Sequence, residues 1–175
     1  MPIILSYTGK TPRLAATAFV AEGVAVTGDV EIGEDASLWF GVVVRGDVNH
    51  VRIGSRTNVQ DQSVVHVTGG THPTVIGHDV TIGHRAVLHG CTIRDRCLVG
   101  VGAIVLDGAV VGPDAMIGAG ALVPPGMVVP PGKLVLGAPA KVKRDLTPEE
   151  IAFLRTSAAN YVRLAETYRR EGAVP

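Results

Sequence analysis

Neither sign of charge is in excess in this sequence of 175 residues, because sixteen lysines and arginines are balanced by sixteen aspartates and glutamates. A chain without net charge offers no electrostatic footprint for nucleic acid or for an anionic membrane surface. The sequence also lacks a recognisable signal segment and any apolar run long enough to span a bilayer. We therefore expect a cytoplasmic protein that binds neither nucleic acid nor membranes.

Cysteine is equally scarce, with only Cys91 and Cys97 in the whole chain. Their spacing is neither that of a redox pair nor that of half a zinc knuckle. A free cysteine packs as a small hydrophobic residue. We expect both side chains to lie in the core.

The dominant feature is an aliphatic residue that returns every six residues between Val20 and Ala140. The clearest members of this series are Ile32, Leu38, Val44, Val99, Val105, Val111, Ile117, Val123, Val129 and Val135. A period of six matches neither the helical 3.6 nor simple strand alternation, so each hexad is a short extended run closed by a turn. Three runs complete one coil, and eighteen residues later the chain lies about 4.8 Å above its own start.

A second series supports this interpretation, because a small residue stands four places after many of the aliphatic ones. Its members are Ala36, Ala86, Ala103, Ala109, Ala115 and Ala121. Such residues fit beside the turns of a narrow prism. The sequence therefore predicts an all-β fold, a parallel β-helix of hexapeptide repeats with about seven coils. The hexapeptide pattern resembles that of the left-handed kind, and the expected handedness comes from that resemblance.

The repeat ends at Gly137–Ala140, and a helix is predicted beyond it. Thr147 followed by Pro148 and two glutamates is typical of an N-cap, a proline at the first helical position and an acidic first turn. The apolar spacing extends this helix to about Glu171. We expect an irregular lead-in over residues 1–13, a β-helix over 14–140, and an exit segment with the C-terminal α-helix over 141–175.

Four of the six histidines, His66, His72, His78 and His84, fall six residues apart. Because successive hexads occupy successive faces, only His66 and His84 of these four share a face, about one strand spacing apart. Two imidazoles placed in this way can reach one metal ion at about 2.0–2.1 Å each.

His89 follows His84 by five residues, and we place the missing residue between Ile82 and an inward-facing Val87. His89 would then lie on a neighbouring face, too far from His84 for one ion to bind both in one chain. A three-fold assembly that packs prisms side by side would complete a three-histidine site. A metal site thus implies an oligomer.

The spacing alone leaves open which histidine is the third ligand and whether the histidines form a site at all. His72 competes with His89 as the third ligand, whereas His50 and His78 are expected in solvated turns. Solenoid turns also tolerate polar residues, so six histidines can fall there by chance.

Two segments around these histidines carry a more specific signal. Upstream of His66 stand Arg45-Gly46-Asp47-Val48-Asn49 and Ile53-Gly54-Ser55-Arg56-Thr57-Asn58-Val59-Gln60-Asp61, and downstream stands Ile82-Gly83-His84-Arg85-Ala86-Val87-Leu88-His89-Gly90-Cys91. Together they resemble the γ-class carbonic anhydrase family, in particular its shorter bacterial members, over nearly the whole chain.

This resemblance implies a homotrimer with Zn²⁺ between subunits, held by His66, His84 and His89. It implies that a metal-bound hydroxide converts CO₂ to bicarbonate. Fe²⁺ and Co²⁺ also accept imidazole, so the sequence leaves the identity of the metal open.

The resemblance also assigns roles beside the metal. Gln60 matches the residue that hydrogen-bonds the metal-bound water, and Asn58 matches a polar residue of the pocket. Tyr161 on the helix is a further candidate for the pocket, with core packing as the alternative. The charged residues that match the set joining subunits beside the metal are Arg45, Asp47 and Asp61; a purely structural ion pair remains the alternative for Arg45 and Asp61.

Two departures from the family pattern concern proton transfer. Seventeen residues separate His66 from His84, which leaves no room for the acidic loop of the best-studied members, and Val48 stands where they carry a glutamate. The sequence therefore also admits two other functions. One is an acyl-coenzyme A thioesterase or acyltransferase, which the repeat and the Gly137–Ala140 exit resemble; the other is a metal-binding structural homologue with little turnover.

Overall fold

The computed structural model describes residues 1–172 and is a stack of short strands with one helix against its side. In chain order the elements are β1 (Ile3–Leu5), β2 (Arg13–Leu14), β3 (Phe19–Val20), β4 (Ala25–Ile32), β5 (Ser37–Leu38), β6 (Val43–Ile53), β7 (Asn58–Val59), β8 (Val64–His66), β9 (Thr74–Ile76), β10 (Thr81–Ile82), β11 (Val87–His89), β12 (Thr92–Ile93), β13 (Leu98–Val99), β14 (Ile104–Val105), β15 (Val110–Val111), β16 (Met116–Ile117), β17 (Leu122–Val123), β18 (Val128–Val129), β19 (Lys133–Leu136), β20 (Lys141–Asp145) and α1 (Pro148–Arg170).

The strands form a three-sided prism, the parallel β-helix predicted from the sequence. We call its sides face A (β8, β11, β14, β17 and the start of β6), face B (β9, β12, β15, β18 and the end of β6) and face C (β3, β5, β7, β10, β13, β16 and β19). The named strands of successive coils pair in parallel, whereas β20 pairs antiparallel with β19. About seven coils are stacked, as expected.

The core is a column of aliphatic side chains, one from each face of each coil. The clearest members of the predicted aliphatic series, from Ile32 to Val135, are 0–3% exposed. The small residues of the second series are 0–1% exposed beside the turns, and Cys91 and Cys97 are buried in the same kind of position. Burial raises the pKa of both thiols to about 12, so they remain inert thiols of the core as predicted.

Three coils differ in length from the regular eighteen residues. In all three the difference arises at the corner between faces A and B. Val44 pairs with Val65 and Val65 with Leu88, which makes coils of 21 and 23 residues. Leu88 pairs with Val105, a coil of 17. The extra residues leave the prism at residues 46–50 and 67–73, whereas the missing one is lost between Leu88 and Ile93.

This last observation corrects the predicted register. Leu88, six residues after Ile82, is the fully buried inward residue, and Val87 points outward. The shortened hexad therefore follows His89 rather than preceding it.

Helix α1 covers face C, where it packs on β5, β7 and β10. It begins as predicted, with Thr147 as N-cap, Pro148 in the first turn and a complete capping box with Glu150, and it ends at Arg170. The predicted segment 141–175 extends past the described residues by its last three positions. No helix within residues 1–172 is long and apolar enough to cross a membrane.

Within residues 1–172 no helix packs on face A in this way. Its outward row consists of Val43, Val64, Val87, Ile104 and Leu122, all partly or largely exposed. The lead-in lies at the end of the solenoid and is not wholly irregular, because β1 pairs with β4.

Candidate metal centre

Two histidines meet at the corner between faces A and B. His66 at the end of β8 aligns with His89 at the end of β11. Nδ1 of His66 lies 3.1 Å from Nε2 of His89, and the two rings meet at 61°. Neighbouring coils thus bring two imidazoles to one point.

This pairing corrects the predicted one, in which His66 stacked on His84. The segment 67–73 leaves the prism as a small hairpin, closed by an antiparallel bridge between Thr68 and His72. The coil that starts at His66 is therefore completed at His89 rather than at His84. His84 instead lies at the corner between faces C and A.

The other histidines lie outside this pair. His72 belongs to the hairpin, not to a strand of face B, and its Cβ lies against Gly90. His78 is exposed in a turn, where its Nδ1 accepts a hydrogen bond from the Ser55 amide at 3.0 Å. His50 is half-buried in β6.

His66 lies beside an ion pair. Its Nε2 is 3.1 Å from Oδ1 of Asp47, and Oδ2 of Asp47 accepts a hydrogen bond from Arg45. Burial opposes ionisation of Asp47, but the hydrogen bonds from His66 and Arg45 outweigh it, so the pKa of this carboxyl lies below its usual value. Within one chain, Arg45 and Asp47 therefore form a charged support for His66.

His89 has its own carboxylate. Its Nδ1 lies 2.6 Å from Oδ1 of Asp107, and Oδ2 of Asp107 accepts a hydrogen bond from the Thr68 hydroxyl at 3.0 Å. Burial opposes ionisation of Asp107, but the hydrogen bonds from His89 and Thr68 prevail and lower its pKa. The carboxylate form is favoured where it faces the imidazole.

The corner between faces C and A holds the third histidine. Nδ1 of His84 is 2.6 Å from Oδ2 of Asp61, so its Nε2 is left for another partner. The side chains of His84 and Asp61 are 45% and 36% exposed. This imidazole is therefore available to a molecule outside the chain.

Gln60 and Asn58 lie on the same side, two residues apart and separated by the inward-facing Val59. Nδ2 of Asn58 donates to the Val80 carbonyl and to Oγ1 of Thr81, and Nε2 of Gln60 donates to Oδ1 of Asn58. A carbonyl can only accept, so the Val80 contact fixes the orientation of the Asn58 amide. Oε1 of Gln60 is thereby left as a free acceptor beside the His84 corner.

Helix α1 contributes to this corner from outside. Oγ of Ser157 lies 3.0 Å from Oγ1 of Thr81, so the helix is joined to the amide chain. Tyr161 packs edge-on against Trp39 and is half-buried. Burial, together with the charge of Asp61, raises the pKa of its hydroxyl. Tyr161 thus serves packing and also lies within electrostatic range of the Asp61–His84 pair.

One chain therefore carries two separate candidate half-sites, His66 with His89 at one edge of face A and His84 with Gln60 at the other. No cluster of three or more histidine, cysteine, aspartate or glutamate side chains able to hold a metal occurs within residues 1–172. The nine residues predicted for the site thus divide between two corners.

The His66–His89 pair fits the metal that the resemblance implies. Two nitrogens bound to one tetrahedral ion at about 2.0–2.1 Å lie roughly 3.3 Å apart. Nδ1 of His66 and Nε2 of His89 approach to 3.1 Å. Each imidazole also faces a carboxylate, the usual outer support of a metal-binding histidine.

Three residues of this region were not predicted from the sequence. Asp107 stands eighteen residues after His89, the length of a regular coil, but the coil from Leu88 to Val105 has only 17 residues, so the period alone would not have aligned the two. Thr68 lies in the hairpin that interrupts the repeat, and Ser157 reaches Thr81 from the helix. Neither of these contacts follows from the period of six.

Comparison with known proteins identifies relatives over almost the full length. Residues 90–125 match a family model described as bacterial transferase hexapeptide (six repeats). A carbonic anhydrase of Geobacillus kaustophilus is 47% identical over 95% of this chain and 91% of its own. The mitochondrial gamma carbonic anhydrase 1 of Arabidopsis thaliana is 49% identical over 98% of this chain, which spans 64% of the plant protein's length.

The fold is shared with solved structures at similar identity. The crystal structure of a hexapeptide transferase family protein from Anaplasma phagocytophilum is 44% identical, covers 95% of this chain and 98% of its own, and superposes with a TM-score of 0.91. The names of these relatives thus include both anhydrases and transferases.

Proposed function

Because this chain belongs to the γ-carbonic anhydrase-like family of hexapeptide-repeat proteins, we propose that it catalyses the reversible hydration of CO₂ to bicarbonate at a metal ion. His66 and His89 of one subunit and His84 of the next would hold that ion. The observation that carries this proposal is the convergence of the His66 and His89 nitrogens at 3.1 Å beside two carboxylates.

The division of the site between two corners supports an oligomer, and we propose a homotrimer. The two half-sites lie at opposite edges of face A, and the aliphatic row of Val43, Val64, Val87, Ile104 and Leu122 runs between them. Packing this row against a neighbouring prism would remove apolar surface from water at about 25 cal/mol per Å². Cyclic closure would then repeat the same contact three times.

In such a trimer each residue of the chain has a definite task. Zn²⁺ held by these histidines would supply a nucleophile for CO₂ near neutral pH, because it would lower the pKa of a coordinated water to about 7. Asp61 orients the His84 ring through Nδ1, and Asp47 supports His66. The Gln60 amide donates to Asn58 through Nε2, and its Oε1 is positioned to accept a hydrogen bond from the nucleophile. That hydrogen bond would orient the lone pair of the nucleophile.

The two carboxylates beside the pair, Asp47 and Asp107, are engaged by His66 and His89 and are not assigned to proton relay. The hairpin of residues 67–73 contains no acidic residue, and Val48 is 52% exposed near its base. We therefore expect the proton to leave to the buffer. At saturating CO₂ the hydration rate of the wild type should rise with buffer concentration.

His66→Ala is the variant that tests this function. Protein purified anaerobically is analysed for Zn, Fe and Co, and the same sample is assayed for CO₂ hydration. We expect about one metal per chain and hydration in the wild type, and a loss of both in His66→Ala. His78→Ala, which removes an exposed histidine outside both half-sites, is the matched control and should retain both.

Two results would contradict the proposal. Hydration unchanged in His66→Ala would show that these histidines do not serve the reaction. A metal-free wild type that hydrolyses or transfers acyl groups from coenzyme A thioesters would favour the transferase alternative, in which a histidine acts as a general base without metal.

A further inference from the structure

Asp107 belongs to no part of the proposed reaction, yet it contacts the histidine pair directly. It follows β14, eighteen residues after His89 and one position beyond the 17-residue coil that joins Leu88 to Val105, and both of its carboxylate oxygens accept hydrogen bonds. Oδ1 faces Nδ1 of His89 at 2.6 Å, and Oδ2 accepts from Oγ1 of Thr68 at 3.0 Å. A carboxylate fixed at both oxygens cannot turn away from the ring.

The backbone at Gly90 leaves room for the carboxylate of Asp107 beside His89. Gly90 has a φ of +57°, and a Cβ placed there would overlap Oδ1 of Asp107 and lie 2.8 Å from Cβ of His72. The Gly108 amide, next to Asp107, donates to the Gly90 carbonyl at 2.7 Å. The missing side chain at position 90 thus makes room for the carboxylate against His89.

The contact decides which ring nitrogen of His89 is available. A carboxylate only accepts hydrogen bonds, so Nδ1 of His89 must carry the proton. In the neutral ring Nε2 is then unprotonated, and this is the nitrogen that lies 3.1 Å from His66. Without Asp107 the ring could rotate or exchange its proton between the two nitrogens.

We propose that Asp107, anchored by Thr68, is a positioning residue that holds His89 in its Nδ1–H tautomer with Nε2 directed at His66. Its effect on metal binding rests on the function proposed above. Removing an outer-shell partner of a metal-binding histidine typically costs 10–100-fold in metal affinity. Asp107 would therefore act through His89 and would not itself touch the reacting atoms.

The alternative is that Asp107 merely joins two coils. The chain offers a matched case in Asp114, which pairs with Arg96 eighteen residues earlier, at 2.7 and 2.8 Å. The exposure of this pair is similar, at 34% and 24% against 32% and 34% for His89 and Asp107. Asp114→Asn weakens a contact between coils at the corner between faces B and C, away from His66 and His89, and therefore controls for a structural effect.

The first measurement is made on metal-free protein. Long-range ¹H–¹⁵N spectra of ¹⁵N-histidine-labelled protein report the tautomer of each ring, and His89→Gln identifies the His89 signal. We expect the Nδ1–H tautomer in the wild type and in Asp114→Asn, and a shift toward the Nε2–H tautomer in Asp107→Ala. The pair lies within one chain, so this result does not depend on assembly or on bound metal.

The second measurement is Co²⁺ affinity, determined by competition with a chelator and followed in the visible spectrum of the bound ion. Asp107→Ala should weaken binding by roughly 10–100-fold, and Asp107→Asn and Thr68→Val should weaken it less. Asp114→Asn should bind as the wild type does. The Asn and Val variants nearly preserve side-chain volume and keep the test meaningful if Asp107→Ala folds poorly.

The outcomes separate the two proposals. A wild type that binds no metal contradicts the proposed function, and the tautomer measurement then still decides the role of Asp107. An unchanged His89 tautomer in Asp107→Ala, or unchanged Co²⁺ affinity in that variant beside a wild type that binds Co²⁺, overturns the positioning role.

Discussion

Gly90 is the residue on which the geometry of the His66–His89 corner depends. Its φ of +57° belongs to the left-handed region, and the space where a Cβ would lie is taken by Asp107 and His72. Any substitution at position 90 would therefore cost free energy of folding in two ways, through backbone strain and through a steric conflict with Asp107, the partner of His89.

Gly90→Ala and Gly102→Ala separate these two costs. Gly102 also has a positive φ, +66°, but nothing lies within 4 Å of its Cβ position. We expect Gly102→Ala to lose about 1–2 kcal/mol of unfolding free energy from left-handed strain alone. Gly90→Ala should lose more in the same urea titration, and only Gly90→Ala should also weaken Co²⁺ binding. Equal behaviour of the two variants would show that Asp107 adapts to the added methyl group.

The charged turn residues show a second pattern at this scale. Between faces B and C, Asp35, Arg56, Asp79, Arg96 and Asp114 all have positive φ values and stack with alternating charge. Arg56 and Arg96 each bind the next aspartate through two hydrogen bonds. Aspartate accepts the left-handed conformation more readily than most residues. The two arginines adopt the same conformation while forming these ion pairs.

Among the elements, α1 owes its fixed start to a capping box. The Glu150 amide donates to Oγ1 of Thr147, the Thr147 amide donates to Glu150, and Arg144 donates twice to the same carboxylate. The hydrogen bonds from Arg144, and then the one from the Thr147 amide, lower the pKa of Glu150 to about 2 from 4.5. The ionised form is thus preferred in the folded protein.

A pH-dependent stability follows from this cap. Because the pKa of Glu150 is depressed on folding, its stabilising effect is complete above about pH 4.5 and is lost as the pH falls toward 2. We expect the Tm of the wild type to exceed that of Glu150→Gln at pH 6, with the difference disappearing toward pH 2. Glu166→Gln, at an exposed position later in the helix, is the control. A difference between wild type and Glu150→Gln that persisted at pH 2 would contradict the assignment.

The regular coils could be predicted from the sequence, whereas the corner between faces A and B could not. Regular coils were predictable residue by residue, because the inward aliphatic residues from Val99 to Val135 and the small turn residues from Cys97 to Ala121 repeat without interruption. The corner between faces A and B was not, because residues 46–50 and 67–73 leave the prism and no longer carry its period. His84 therefore appeared to follow His66 by one coil, although the coil is completed at His89.

The incorrect prediction that Val87 faces inward had a similar origin. Val87 and Leu88 are both aliphatic, and either could begin the next regular stretch. Only the stacking of Leu88 on Val65 and Val105 decides between them. Consequently the fold class and the helix start followed from the sequence, whereas the partner of His66 required the structure.

For the whole molecule, the decisive feature is that the three histidines cannot meet within one chain. His84 lies at one edge of face A, and His66 and His89 lie at the other. In a cyclic trimer each site would combine the pair from one subunit with His84 from the next, so the three sites would share no histidine.

Mixed trimers test this arrangement directly. His66→Ala chains retain an intact His84, and His84→Ala chains retain an intact His66–His89 pair, so each variant alone should bind no metal and show no hydration. When equal amounts are co-expressed, random cyclic trimers should regain about a quarter of the wild-type sites, because every mixed trimer contains one correct junction. The measurement is metal content and hydration rate per chain, with the mass in solution confirming three chains.

His66→Ala co-expressed with His89→Ala is the matched control. Both variants damage the same half-site, so no junction can restore it and the mixture should stay inactive. If both mixtures remained without metal while forming trimers, the site would not be shared between subunits. If the first mixture recovered sites as predicted, the centre would belong to the assembly, and the bare aliphatic row of face A would be the surface that builds it.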